Sequence, residues 1–83
     1  MFFSSKKISI PHFYCMEYSE GGRTMTIDID FREPEIYISK SLITKWNSPY
    51  ENENITVEKR NEIYKEVKLY LIKRFGKDKV FEE

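Results

Sequence analysis

The stretch His12–Asp30, HFYCMEYSEGGRTMTIDID, decides the fold. Its second half alternates: Met25, Ile27 and Ile29 fall on one side, and Thr24, Thr26, Asp28 and Asp30 on the other. That is the period of a half-buried strand. Gly21-Gly22 suits a two-residue hairpin turn, because both central positions of the favoured turn need positive φ. With that turn Tyr18 faces Met25, Met16 faces Ile27, and Tyr14 faces Ile29, so six apolar residues line one face. A slip of one residue would set Tyr18 against Thr24 and scatter them, so burial fixes the register.

Beyond this hairpin, Pro34 breaks the chain and Ile36-Tyr37-Ile38 alternates again as a further strand. Returning antiparallel, it extends the same apolar face and leaves Tyr37 on the opposite, carboxylate-bearing face. The earlier KKISI reads either as a short strand ended by Pro11 or as an ordered lead-in. Between Thr56 and Phe75, the residues Ile63, Tyr64, Val67, Tyr70 and Leu71 recur at helical spacing. Thr56 is a suitable N-cap, Gly76 a suitable stop, and Lys73 and Arg74 suit the last turn. In SKSLITKW a short helix would direct Leu42, Ile43 and Trp46 to the core, with Trp46 closing one end of the sheet. Tyr50, after Pro49 and among Asn and Glu, reads as exposed. The terminal KVFEE suits a closing edge strand. The expected fold is α+β: an antiparallel sheet of three to five strands, a β-meander, with one long helix from the C-terminal half packed on one face.

Residues 1–83 are long enough for one domain with a modest core. Hydrophobic residues make up 40% and aromatic residues 16% of the chain, which supports packing rather than disorder. The formal net charge is zero, which argues against a general nucleic-acid binder. The opening MFFSSKKISIPH lacks a signal-peptide core, and no apolar run reaches membrane-spanning length. The expected address is the cytoplasm, and a single cysteine fits a reducing compartment.

Catalytic signals are poor. His12 and Cys15 lie three apart on one expected strand, so their side chains point to opposite faces and a Cys-His catalytic pair is not expected. No catalytic residue and no cofactor is assigned. Asp28 and Asp30 share a strand face roughly 7 Å apart, but a pair falls short of a full oxygen shell, so no metal is assigned either. Two readings of this face stay open: an ordinary solvated surface, or a partner surface. The charge distribution favours looking for a partner. From Glu17 to Glu35 six acids face two arginines, net −4; from Lys59 to Lys79 eight bases face three acids, net +5. A molecule so divided can steer a charged partner at zero net charge. Candidate partner-binding residues are Asp28, Asp30, Glu33, Glu35, Tyr37 and Tyr50. On the helix, Leu69 and Ile72 lie away from the buried face centred on Val67, which suggests a cover: the N-terminal MFF, a partner, or a second copy in a homodimer.

Several of these stretches carry a family likeness. YCMEYSEGGRTMTI, then EIYISKSLITKW, then NSPYENENITVEKRNEIYKEVKLYL and KVFEE resemble the immunity protein 74 family of bacterial polymorphic toxin systems. The likeness runs from about Tyr14 to the end. It is most specific at Trp46, Pro49, Ile55-Thr56 and Arg60, with Glu17, Tyr18 and Gly22 in the hairpin. The chain departs from it in the Asn-rich ENEN and a longer amino-terminal lead. The resemblance implies a cytoplasmic bacterial protein that binds and neutralises a cognate toxin domain, without catalytic residues and with no toxin contact transferable by position. Two other classes stand beside it: a nucleic-acid module using Lys59, Lys65, Lys68, Lys73 and Lys77, and a homodimeric adaptor.

Overall fold

The computed structural model describes residues 6–83, so the MFF segment considered as a cover for the helix lies outside the described residues. Strands β1 (Lys7–His12), β2 (Cys15–Glu20) and β3 (Arg23–Asp28) form an antiparallel sheet in that order. Strand β4 (Ile36–Ile38) follows, then a 3₁₀ turn at Lys40–Leu42 and helix α1 (Val57–Phe75). A second 3₁₀ turn at Lys77–Lys79 leads into β5 (Val80–Glu82). The α+β class holds, and the first three strands form the expected meander.

The β2–β3 register is Tyr18 against Met25 and Met16 against Ile27. Gly21 and Gly22 have φ of 58° and 81°, the left-handed values that this turn demands and that side-chain-bearing residues adopt at a cost. The expected six-residue face is complete but for Tyr14. Cys15 against Asp28 is the last pair of the ladder, and Tyr14 stands half exposed beyond it.

Two further expectations are corrected. The strand Ile36–Ile38 does not return antiparallel into the meander. It pairs in parallel with β5, Ile36 against Val80 and Ile38 against Glu82, as a separate two-stranded sheet. His12 and Cys15 do not share a strand. They oppose each other across the β1–β2 turn formed by Phe13 and Tyr14, and opposed residues share a face. His12 stacks on the Tyr14 ring at 5.2 Å, and Cys15 is a half-buried free thiol.

The core joins both sheets to one helix. Met16, Tyr18, Met25, Ile27, Ile29, Ile36, Ile38, Ile43 and Trp46 are buried together with Ile63, Tyr64, Val67 and Leu71 of α1. The helix starts where Thr56 Oγ1 accepts the Lys59 amide at 3.1 Å, and it stops at Gly76, whose φ is 103°. Trp46 is a core residue stacked on Tyr18 at 6.3 Å.

Candidate partner interface

The molecule has two unlike ends. At the hairpin turn, Arg23 makes a two-pronged ion pair with Glu53, at 2.7 and 2.8 Å. The Arg23 guanidinium also covers the Tyr50 ring at 4.4 Å. The Asn47 amide donates to the Thr24 carbonyl at 2.7 Å, and the Asn47 side-chain amide reaches the Thr26 hydroxyl at 3.0 Å. The loop after Trp46 is thereby strapped along the outer edge of β3. Tyr50 is half-buried against the core, not exposed as its polar neighbours suggested.

Beneath this end lies a charged network. The Tyr18 hydroxyl donates to Glu20, whose other oxygen takes the Lys59 ammonium at 2.7 Å. Burial, reinforced by the adjacent carboxylate, holds the Tyr18 phenol far above its usual pKa. Desolvation pushes the Glu20 carboxyl upward, yet the hydrogen bonds from Lys59 and Tyr18 outweigh it and leave the pKa below the usual value.

The opposite end is aromatic. Backbone bonds from the Ile29 amide to the Tyr14 carbonyl (3.2 Å) and from the Phe31 amide to the Phe13 carbonyl (2.8 Å) carry the chain past the last strand pair. Phe31 then stacks on Phe75 at the end of α1, centroids 5.8 Å apart. A groove of about 420 Å³ opens here, lined by Ile10, Pro11, His12, Phe13, Phe31, Arg74 and Phe75. Phe13 is 68% exposed on its rim. Arg32 lies over the Tyr14 ring at 4.5 Å, and Arg74 lies near the Phe75 ring at 5.6 Å. Exposed aromatic rings beside guanidinium groups are the composition of binding hot spots.

The acidic residues adjoin this aromatic end. Asp30 is held by Arg32, Oδ1 taking Nε at 3.1 Å and Oδ2 taking Nη2 at 2.9 Å. Those hydrogen bonds, with one from the Arg32 amide, lower its pKa to about 2. Asp28, Glu33 and Glu35 are exposed and form no ion pair among the described residues. Tyr37 is half exposed, stacked on Phe81 at 5.5 Å, and its hydroxyl donates to Glu35 at 3.2 Å. Asp28, Asp30, Glu33, Glu35 and Tyr37 thus follow one another from the end of β3 into β4. Tyr50 does not join them. Its partner Arg23 and Asp28 stand at opposite ends of β3, roughly 17 Å apart along a strand.

The basic helix is partly neutralised from within. Lys59 binds Glu20 and Glu62, and Lys68 binds Glu82 of β5 at 2.8 Å. Leu69 and Ile72 also part company. Leu69 is 47% exposed, while Ile72 is half-buried. At 100° per residue they stand about 60° apart on the helix, with Leu69 over the flank beside β1.

Sequence reasoning did not bring together the groove residues Phe13, Phe31, Arg74 and Phe75, which lie in three separate segments. Among the described residues no group of three or more His, Cys, Asp or Glu side chains is placed to hold a metal ion. No described helix is long and apolar enough to cross a membrane.

Comparison with known proteins agrees with the likeness seen in the sequence. The family model for immunity protein 74 matches residues 15–76, from the first residue of β2 to the residue that stops α1. No curated protein and no solved structure matches the chain. The match spans both β-sheet-forming hairpin arms, Trp46 and the whole of α1, and on that ground the chain belongs to the immunity protein 74 family.

Proposed function

We propose that this protein neutralises a cognate toxin domain by binding it and covering a surface the toxin needs, with the aromatic end as the anchor and the neighbouring carboxylates as the guide. Membership of a family of immunity proteins of toxin systems gives the class of partner. The observation that carries the choice of surface is the groove lined by Phe13, Phe31 and Phe75, with Asp28, Glu33 and Glu35, which lack ion pairs among the described residues, within four residues of Phe31 along the chain. Apolar rings exposed to water gain when a partner desolvates them, and Phe13 has the most to gain. Carboxylates without ion-pair partners raise the association rate toward a basic surface. A toxin that handles nucleic acid presents such a surface. Tyr37, stacked on Phe81, extends the contact at its acidic margin. The cytoplasm is where such a protector meets an incoming toxin. The chain acts stoichiometrically and needs no catalytic group.

The test is a binding titration against a candidate cognate toxin domain. Phe13→Ala is expected to weaken the complex by about 30-fold or more, the scale of a hot-spot ring. Unchanged affinity would remove the aromatic anchor. A nucleic-acid role for α1 is less well supported, because Lys59 and Lys68 are already engaged within the chain. A gel shift at low salt that depends on Lys65, Lys73 and Lys77 would revive it.

A further inference from the structure

A second groove, of about 480 Å³, lies between β1 and α1 and is lined by Lys6, Ile8, Glu66, Leu69, Tyr70 and Lys73. Its helical wall has a particular order. Glu66, Leu69, Tyr70 and Lys73 recur three and four apart, so they form one stripe along α1. The stripe reads acid, apolar, aromatic, base. Such a stripe complements itself when reversed. A second helix laid antiparallel, with a two-fold axis between Leu69 and Tyr70, sets each Glu66 against the partner's Lys73. The same operation sets each Leu69 against the partner's Tyr70.

The surroundings suit that arrangement. The loop after Trp46 is strapped along β3, on the far side of the sheet, whereas among the described residues β1 has β2 as its single strand neighbour. Leu69 is 47% exposed at the groove. Glu66 meets Lys6 only at the long distance of 3.8 Å, and Lys73 has no ion pair among the described residues. We propose that this face binds a second copy of the chain in a two-fold dimer, with the two α1 helices antiparallel and Leu69 at the centre. This groove shares no lining residue with the aromatic groove of Ile10 to Phe13, Phe31, Arg74 and Phe75, although the Arg74 guanidinium donates to the Tyr70 hydroxyl at 2.9 Å where the two adjoin. The inference stands whether or not the toxin reading does.

Sedimentation velocity of the full chain across the micromolar to sub-millimolar range tests it. The expected result is a reversible shift from 10.1 kDa to twice that mass. Leu69→Asp should leave a folded monomer, checked by circular dichroism. Glu66→Lys and Lys73→Glu should each weaken the dimer by about tenfold or more, since symmetry repeats each like-charge contact. The double exchange Glu66→Lys with Lys73→Glu should restore it. A monomer throughout the range overturns the proposal and gives the groove to another occupant. A dimer indifferent to both single reversals overturns it as well.

Discussion

Leu71→Ala tests how α1 is seated. Leu71 is 0% exposed, enclosed by the residues of both sheets. Replacing it by alanine removes three carbons, worth about 2.4 kcal/mol at ~0.8 kcal/mol each. The residual cavity raises the cost to about 3–4 kcal/mol. A chain of 83 residues has a total stability of about 4–12 kcal/mol, so this one change takes a quarter of it or much more. Leu69, two residues earlier and 47% exposed, supplies the contrast: its alanine variant should cost about 0.5 kcal/mol or less in the monomer. The assay is urea unfolding followed by far-ultraviolet circular dichroism, at a concentration low enough that self-association does not contribute. With a slope of about 1–1.5 kcal/mol/M the midpoint of Leu71→Ala should fall by about 2–4 M, the slope itself unchanged. Equal midpoint shifts for the two variants would refute the seating, because they would mean that the helix does not distinguish an inner from an outer leucine.

Three further expectations follow from named contacts. Thr56→Ala deletes the oxygen that accepts the Lys59 amide and should cost about 1 kcal/mol in the same unfolding assay. The Asp30 carboxyl should titrate near 2 by NMR and return toward 3.8 in Arg32→Ala; because its folded pKa is depressed, the stability it lends is complete above about 3.8 and is lost as pH falls toward 2. Reversing Asp28, Asp30, Glu33 and Glu35 to lysine should slow association with the toxin domain by about tenfold or more at low salt and flatten the salt dependence, measured by stopped flow; an unchanged rate would remove the carboxylates from the interface.

Much of the fold was legible because local rules agreed. The alternation from Thr24 to Asp30, together with two glycines, specified one register, and the structure adopts it. The helix was equally plain, since period, cap and stop fell at Thr56, Val57–Phe75 and Gly76. What escaped was non-local. Three residues, Ile36–Ile38, carry a strand period but no instruction about a neighbour, and theirs is β5, more than forty residues on. Tyr50 looked exposed because its neighbours are polar; Arg23 covers it, held there by Glu53, a residue of the ENEN stretch by which the chain departs from its family likeness. The β1–β2 turn had no glycine, proline or asparagine to announce it, so His12 and Cys15 were read as one strand. Phe13, Phe31 and Phe75 lie in three separate segments, and only the folded chain makes them one groove. The carboxylates could be picked out as a cluster because they are close in sequence, whereas their setting beside aromatic rings could not.

Hydrogen–deuterium exchange of this protein, alone and bound to its cognate toxin domain, tests the binding surface most directly. New protection is expected at Phe13–Tyr14, at 28–35 and at the end of α1 around Arg74–Phe75, with none gained at the strapped loop around Tyr50. Protection confined to that loop or to the exposed flank of α1, with residues 28–35 unchanged, would contradict it.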